Sequence, residues 1–533
     1  KASVLGTSSY KESKYRIYAS LAFMTVVIII GIPMWWKTTE VYRVSLPYSG
    51  IKDINPQSLI ISLNVGIYTT DSDQSLALKN EFEAYFRRSF WNISFIQIPS
   101  TEKTRSAKTP ATLETIILKN FDMQPGDFLF LEWQKLTDEV LLTSDRSALF
   151  NNSTSASKML YILDNYILQS YKIKSIINDD AKNNKLKLSV AQPEYDVLIS
   201  VFNPRPDLQK FDWDLRAASE AYLSPFLDNI NQVSNFTLKT QWKYQAPFEI
   251  PLKQVRDGSK IGRHYVLSEE KMPHFITTIE KHIGGGISDN TPIQIVVYIP
   301  PCDISPLYIY NADQPKFENI SSFVSLKWGT VVIYNPPLDS CLEYSETQNQ
   351  VTFTVNSNEI MQVILYHLQK LLDINVEVSN FVPMDGVKFV ESEKLAPRVW
   401  EYESYIRRAV VMNVITATRT LQSLIALLDN INYIVINDDV GDAVNDAYRA
   451  ILDTMENLRS DDIIIGSNSA KKAFISSEKA FFDASLLAQL YFPEEQKYAI
   501  YIPLFLPIMV PVITSLASFK KYFVLIRKKS KTL

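Results

Sequence analysis

Glycine and cysteine are scarce in this 533-residue chain, and the scarcity excludes several kinds of chemistry. Only 14 residues are glycine, about a third of the usual share. Phosphate-binding loops and dinucleotide-binding folds need glycine-rich turns, and the chain contains neither a Walker A motif nor a GxGxxG sequence. HExxH, CxxC and GxSxG motifs are absent as well. The sequence therefore predicts no bound cofactor and no metal site, and it disfavours the common hydrolytic mechanisms.

Candidate catalytic groups are correspondingly few. The chain has four histidines, which are His264, His274, His282 and His367. His282 precedes the run Gly284, Gly285 and Gly286, whose backbone N–H groups could face an anion. Because no GxSxG serine accompanies it, a glycine-rich turn at a helix end is the favoured interpretation. The acids beside Trp213, Asp212 and Asp214, are interpreted as solvated surface groups. We predict no catalytic residue in this chain.

Charge is distributed unevenly along the chain. The net charge is −4, but residues 1–16 carry +3 and residues 520–533 carry +6, which leaves −13 for the rest. An acidic body of this size is a poor nucleic-acid binder, so we expect no nucleic-acid partner.

Two long uncharged runs lie just inside the basic ends, at residues 17–36 and 498–519. Each is long enough to cross the hydrocarbon core of a bilayer, about 30 Å thick. Cleavage of the first run as a signal peptide is disfavoured, because bulky residues including Trp35 and Trp36 follow its apolar part. The basic flanks place residues 1–16 and 520–533 in the cytosol. Residues 37–497 then form one large luminal or extracellular body.

The second run and the tail after it carry two further signals. Pro503, Pro507 and Pro511 recur every four residues and so share one helix face. This face either packs against partner helices, which would satisfy the carbonyls that proline releases, or contains simple tolerated kinks. Lys529 and Lys531 resemble a cytosolic dilysine retrieval signal of the endoplasmic reticulum (ER), with a generic basic flank as the alternative.

The large body is predicted to have a mixed α/β or α+β core followed by a helical layer. Strand-like and helix-like patterns interleave over residues 37–397, with strands expected at 59–68, 93–98, 128–133, 195–202, 293–299 and 331–334. A continuous helix is expected at 158–177. Residues 398–497 are predicted to be helical alone, beginning with an apolar stripe from Tyr402 to Leu428. The polar stretch 340–358 is predicted to be a linker, and no internal repeat is detectable.

Two kinds of covalent modification are compatible with a luminal body. Cys302 and Cys341 both lie in it, and we predict a bond between them that could contribute about 4 kcal/mol. A bridge to a partner chain and two free thiols remain the alternatives. Five sequons are possible glycosylation sites, although chance alone would produce about as many; they begin at Asn92, Asn151, Asn152, Asn235 and Asn319.

Three stretches resemble one known family. They are residues 35–43 (WWKTTEVYR) with Leu46, Pro47 and Tyr48; residues 487–495 (LAQLYFPEE), continuing to Phe505; and, more weakly, residues 222–227 (YLSPFL). In these stretches, in chain length and in the two-span layout, the sequence is similar to the phosphatidylinositol-glycan class S family.

The resemblance implies a non-catalytic subunit of the glycosylphosphatidylinositol (GPI) transamidase in the ER membrane. Its expected partners are the other transamidase subunits, including a caspase-like subunit that carries the cysteine protease chemistry, and membrane lipid. Contact with the GPI lipid or the precursor protein would be indirect. A membrane-anchored luminal glycan-processing enzyme is the alternative function.

Overall fold

The chain is analysed as a computed structural model. It describes residue 15 and residues 17–39, 42–87, 89–120, 123–136, 138–178, 192–246, 251–256, 263–283, 290–309, 319–326, 328–347, 349–374, 385–390, 396–431 and 434–489, and then 499, 502–503, 505–507, 509–514, 517, 519–520 and 523–524. These residues divide into two compact units. The larger unit comprises Asp53–Arg419 and Asp446–Ser476, and the smaller comprises Lys1–Lys52, Thr420–Asn445 and Ser477–Leu533.

The described residues contain sixteen strands, numbered here in chain order. They are β1 Ile61–Tyr68, β2 Trp91–Ile98, β3 Phe128–Glu132, β4 Val140–Leu142, β5 Ser147–Phe150, β6 Glu194–Asn203, β7 Gln209–Asp212, β8 Asn235–Tyr244, β9 Lys253–Arg256, β10 Arg263–Leu267, β11 Thr291–Tyr298, β12 Leu307–Ile309, β13 Ile320–Ser325, β14 Gly329–Tyr334, β15 Val351–Thr354 and β16 Val387–Phe389. All of them lie in the larger unit.

The helices of the same residues are also numbered in chain order. They are α1 (residues 17–39, with a π-helical turn at Val27–Gly31), α2 Tyr48–Asp53, α3 Ser72–Phe86, α4 Glu102–Arg105, α5 Pro110–Asn120, α6 Ala156–Ile162, α7 Ser170–Asn178, α8 Leu215–Tyr222, α9 Ser224–Ile230, α10 Met272–His282, α11 Leu338–Thr347, α12 Ser357–Leu372, α13 Val399–Asn430, α14 Asp438–Arg459, α15 Ile463–Phe481 and α16 Ala484–Gln489.

Two sheets of the larger unit share one order over five strands, and β16 is an additional edge strand of the first sheet. The first runs β16-β4-β5-β3-β1-β2 and the second runs β13-β14-β11-β6-β8. In the first sheet β5, β3, β1 and β2 are parallel to one another, and β4 is antiparallel to β5. In the second sheet β14, β11, β6 and β8 are parallel to one another, and β13 is antiparallel to β14. The mixed α/β prediction is therefore confirmed. The shared order is a repeat of backbone topology, which the sequence did not reveal.

The second sheet is buried on both faces because its side chains alternate between two cores. Along β11, Ile295 and Val297 pack with α8, α9 and α12, whereas Val296 and Tyr298 pack with α10 and the small sheet β12-β10-β9. Strands covered on both faces read as continuous apolar runs. This explains why 195–202, 293–299 and 331–334 were predictable as strands.

The predicted apolar stripe is confirmed as the 32-residue helix α13. Its stripe residues from Tyr402 to Leu428 are all buried. By length and composition α13 could cross a membrane, as could Ile17–Met34 in α1. Within the predicted second span, the described residues 505–507 and 509–514 are helical.

Two local predictions differ from the structure. Residues 340–358 do not form a linker, because they contain most of α11, all of β15 and the start of α12. The continuous helix expected at 158–177 is divided into α6 and α7 by a π-helical turn, Leu163–Ile167, and by Gln169 with φ 48°. A positive φ at a non-glycine residue ends a regular helix, which the apolar spacing could not indicate.

Candidate functional site

Ligands of open α/β sheets bind beyond the carboxyl ends of the parallel strands, where the strand order reverses. In the first sheet this point lies between β1 and β3, and the side chain of Glu132 occupies it. Glu132 is buried at the end of β3. Its carboxylate accepts hydrogen bonds from the backbone N–H of Thr70 (2.5 Å) and from the Thr70 hydroxyl (2.8 Å). The donors that could hold an anionic ligand are therefore already bound to a carboxylate.

The corresponding point in the second sheet lies between β6 and β11, where two buried amide side chains donate hydrogen bonds to backbone carbonyls. The side-chain amide of Asn203 donates to the carbonyl of Gln209 (3.2 Å), and the amide of Gln209 donates to the carbonyl of Ile299 (3.2 Å). Proline lacks an N–H, so proline-rich loops are poor phosphate cradles. The loops at this edge contain Pro204, Pro206, Pro300, Pro301, Pro306, Pro336 and Pro337.

The structure contains a disulfide bond between Cys302 and Cys341. Cys302 lies in a turn after β11, and Cys341 lies in α11, which follows β14. The bond therefore ties together two loops at the carboxyl edge of the second sheet. Neither sulfur is a thiol, and a thiolate is the form that attacks as a nucleophile.

The histidines do not converge on one site. His367 is buried in α12, where its Nε2 lies 3.0 Å from the Ser322 hydroxyl and its Nδ1 contacts the Thr330 hydroxyl. His282 ends α10, and the glycines that follow it lie outside the described residues. Among the side chains that the structure describes, no group of three or more His, Cys, Asp or Glu could hold a metal ion.

A buried polar cluster joins the first sheet to the turn between α14 and α15. Asp127 accepts hydrogen bonds from the backbone N–H groups of Asn64 (2.7 Å) and Gln124 (2.9 Å), and the side chain of Asn64 donates to Asp461 at 2.6 Å. Partial burial, the negative charge of Asp127 and a hydrogen bond to it raise the pKa of Asp461 to about 8. The buried Arg407 donates to the carbonyl of Gly126 (2.8 Å). No periodic pattern or motif in the sequence indicated this cluster.

A second buried cluster joins α7, α12 and α13. The Asp373 carboxylate pairs with Arg408 at 2.8 Å and with Lys172 at 2.7 Å, and Arg408 also bonds the backbone carbonyl of Asp373 and the side chain of Gln169. The charges compensate one another inside the protein, as buried ions must. Both clusters connect elements of the larger unit.

The family model described as phosphatidylinositol-glycan biosynthesis class S protein matches residues 22–525. The chain belongs to this family. The bovine (Bos taurus) protein named GPI-anchor transamidase component PIGS is 31% identical, covering 93% of this chain and 94% of its own length. The human (Homo sapiens) protein of the same name is 30% identical with the same coverage. A Schizosaccharomyces pombe protein, named GPI transamidase component PIG-S homolog, is 23% identical over 93% of this chain and 82% of its own length.

Residues 35–48, the first of the stretches that resemble the class S family, make contacts within the smaller unit. Arg43 Nη2 donates to the Leu428 carbonyl in the last turn of α13 (3.0 Å), and the Val44 N–H donates to the Ile436 carbonyl (3.1 Å). A cation is favourable at a helix C-terminus. A Cβ on Gly441 would lie 2.8 Å from Val44 Cγ1, so glycine is required for this close approach. The resemblance in 35–48 therefore includes residues that bind the end of α13.

Of the other two stretches that resemble the class S family, the structure describes residues 222–227 fully and residues 487–505 only in part. Residues 222–227 cover the junction of α8 and α9, where Leu223, Phe226 and Leu227 are buried in the core of the second sheet. The Tyr222 hydroxyl donates to Asn358 at 2.9 Å. Residues 490–498 lie outside the described residues, as do Lys529 and Lys531.

The predicted modification and docking residues are spread over the chain. Asn92, Asn152, Asn235 and Asn319 are exposed, whereas Asn151 is half-buried. Asn151 Nδ2 donates to the Asp138 carbonyl (3.0 Å), and its Oδ1 accepts from the Ser153 N–H (3.0 Å). Pro503, Pro507 and Pro511 are helical and exposed.

Proposed function

We propose that this chain is a non-catalytic subunit of the GPI transamidase complex, which attaches GPI anchors to precursor proteins in the ER. The observation that carries the proposal is the similarity over 93% of the chain to proteins named as components of that transamidase. A component belongs to an assembly, so the other subunits are its partners. A caspase-like subunit would carry the cysteine protease chemistry.

The two sheet edges support a structural role. Glu132 occupies the ligand position of the first sheet, and at that of the second the amides of Asn203 and Gln209 donate to backbone carbonyls. Cys302 and Cys341 are bonded to each other, so neither is available as a nucleophile. The chain would contribute surfaces for assembly, while contact with the GPI lipid and the precursor protein would be indirect.

The proposed topology places one transmembrane helix at each end, at 17–36 and 498–519, with both tails in the cytosol and the body in the ER lumen. We assign α13 to the body and not to the membrane, because the charged side chains of its first half are paired inside the larger unit. Arg408 bonds Asp373 at 2.8 Å and Glu403 bonds Arg146 at 2.5 Å. Such pairs compensate charges that a lipid-facing helix could not accommodate.

Affinity purification of the full chain in mild detergent tests the assignment. We expect the other transamidase subunits to co-purify in constant ratio, and the purified chain alone to have no transamidase or glycan-processing activity. Activity of the isolated chain on a glycan substrate would favour the alternative, a membrane-anchored luminal enzyme. Protease added to sealed microsomes should leave a fragment of nearly full length, whereas digestion of the body would contradict the topology.

The second transmembrane helix is proposed to dock against partner helices. Pro503, Pro507 and Pro511 recur every four residues, so the carbonyls that they release lie on one side of the helix. Unsatisfied carbonyls in hydrocarbon cost several kcal/mol each, which a neighbouring helix would avoid. Replacing 498–519 by a Leu/Ala span of equal length should preserve insertion but weaken recovery of the other subunits. Unchanged recovery would show that this helix is only an anchor.

A further inference from the structure

Strand β8 forms one edge of the second sheet and is unusually long for an edge strand. It has ten residues, all paired in register with β6 from Glu194↔Asn235 to Asn203↔Tyr244. In the part of the chain that the structure describes, no strand pairs with its other side. Edge strands of this kind are ready templates for another chain.

The backbone hydrogen bonds at the two ends of β8 show which groups face outward. The Asn235 N–H donates to the Pro193 carbonyl (2.7 Å), and the Gln245 N–H, ten residues later, donates to the Asn203 carbonyl (3.1 Å). In a parallel ladder alternate residues bond the same neighbour. Odd-numbered residues therefore face β6. The outward N–H and C=O groups belong to Phe236, Leu238, Thr240, Trp242 and Tyr244.

Two of the usual protections of an edge, proline and a β-bulge, are missing from β8, and among the residues that the structure describes Lys243 is its one uncompensated charge. The strand contains no proline, and its ten consecutive pairs leave no room for a bulge. Lys239 does not guard the edge, because its ammonium group is bound to Asp196 at 2.8 Å. The opposite edge strand, β13, is different: its Ser321 hydroxyl accepts the Ile309 N–H (2.8 Å) from the neighbouring β12. Among the described residues, the chain therefore covers the β13 edge of this sheet but pairs no strand with the β8 edge.

We propose that the outward edge of β8 binds an extended segment of another transamidase subunit as an additional strand. The inference rests on the proposed function and names a contact surface for it. Outward N–H and C=O groups on alternate residues repeat about every 6.6 Å, a spacing that an extended polypeptide backbone matches. The ten residues would pair with a segment about 33 Å long.

The side chains of β8 favour a different protein over a second copy of this chain. The strand carries Lys239 and Lys243 and no carboxylate. Asp196 compensates Lys239, so Lys243 is the charge that this edge offers; two copies paired edge to edge would place two such cations and no carboxylate on one ribbon, which like-charge repulsion disfavours. Trp242 is 36% exposed and Tyr244 is 57% exposed at the end of the strand. The Trp242 ring already packs against Phe211 and Trp213. The segment that fits therefore carries an acidic side chain near Lys243 and an apolar one beside Tyr244.

Thr240→Pro tests this edge in the full-length chain within the complex. Thr240 is exposed and its N–H points outward, so proline removes an edge donor and leaves the bonds of Lys239 and Gln241 to β6 intact. Thr240→Ala, the matched control, keeps the N–H. We expect Thr240→Pro to lower recovery of at least one partner subunit by about tenfold or more, and Thr240→Ala to retain it. Equal recovery with both variants would overturn the proposal.

A photo-crosslinking residue at Tyr244 tests the same edge without disturbing the fold. In the assembled complex we expect one crosslinked product, between this chain and another subunit. A product of twice this chain's mass would instead assign the edge to a second copy, and no crosslink to any protein would also refute the inference. If the unmodified chain failed to co-purify with transamidase subunits at all, the proposed function itself would fail, which distinguishes the two results.

Discussion

Asp461→Asn should stabilise the protein, and the gain should increase with pH. The Asp461 carboxyl group lies beside Asp127, and both accept hydrogen bonds from Asn64. Burial and the Asp127 charge raise the pKa of Asp461 from 3.8 to about 8. In the folded state the group therefore keeps its proton at neutral pH, whereas in the unfolded chain it is ionised above about pH 4.

The sign of the effect follows from this difference. Between about pH 4 and pH 8 the folded state binds one more proton than the unfolded state, so the free energy of unfolding falls as the pH rises. Asparagine cannot ionise and tolerates the positive φ of 64° at this position. Each pKa unit corresponds to about 1.4 kcal/mol, but the carboxyl group is only partly buried and solvent screens it. We therefore expect a gain of about 2 kcal/mol at pH 7.5 and almost none at pH 4.5.

Thermal unfolding of the full-length protein in detergent, followed by tryptophan fluorescence, would measure this gain. For a unit of this size, 2 kcal/mol corresponds to a rise in Tm of about 3 °C at pH 7.5. Asp453→Asn, which neutralises an exposed aspartate of α14, is the matched control and should leave the difference between pH values unchanged. A gain of equal size at every pH, or a lower Tm at pH 7.5, would refute the reasoning.

Three other substitutions test the remaining contacts. Arg408→Met should lower the unfolding free energy by about 2–4 kcal/mol, because it leaves the buried Asp373 with only part of its compensation; a denaturation midpoint equal to that of the wild type would contradict this. Cys302→Ser opens the disulfide, whose partners are 39 residues apart, and should lower stability by about 4 kcal/mol; peptide mapping of the wild type without reductant should return the linked pair. Asn152→Gln should remove one glycan in a gel-shift assay, whereas Asn151→Gln should remove none, because the Asn151 side-chain amide donates to the Asp138 carbonyl. The reverse pattern would show that the exposed Asn152 is not the acceptor.

Much of the fold was predictable where burial covers a whole element. The apolar stripe of α13 and the continuous apolar runs of β6, β11 and β14 are confirmed, because complete burial produces a clear pattern. Strand β8 was missed, although its even positions from Phe236 to Tyr244 alternate with polar residues. That period of two is the signal that could have located the strand and its outward edge.

The sequence by itself determined that the common nucleotide-binding, metal-binding and hydrolase motifs are absent. It also determined the mixed core, the helical layer and the family. These depend on residue types and on spacing along the chain, which local physics converts directly into helices, strands and apolar segments. Only the tertiary structure decided the shared order of the two sheets, the occupation of the first sheet's ligand position by Glu132, and the pairing of Asp127 with Asp461. The two aspartates are separated by more than 300 positions in the chain. Such contacts depend on which elements pack together, and no local pattern encodes that choice.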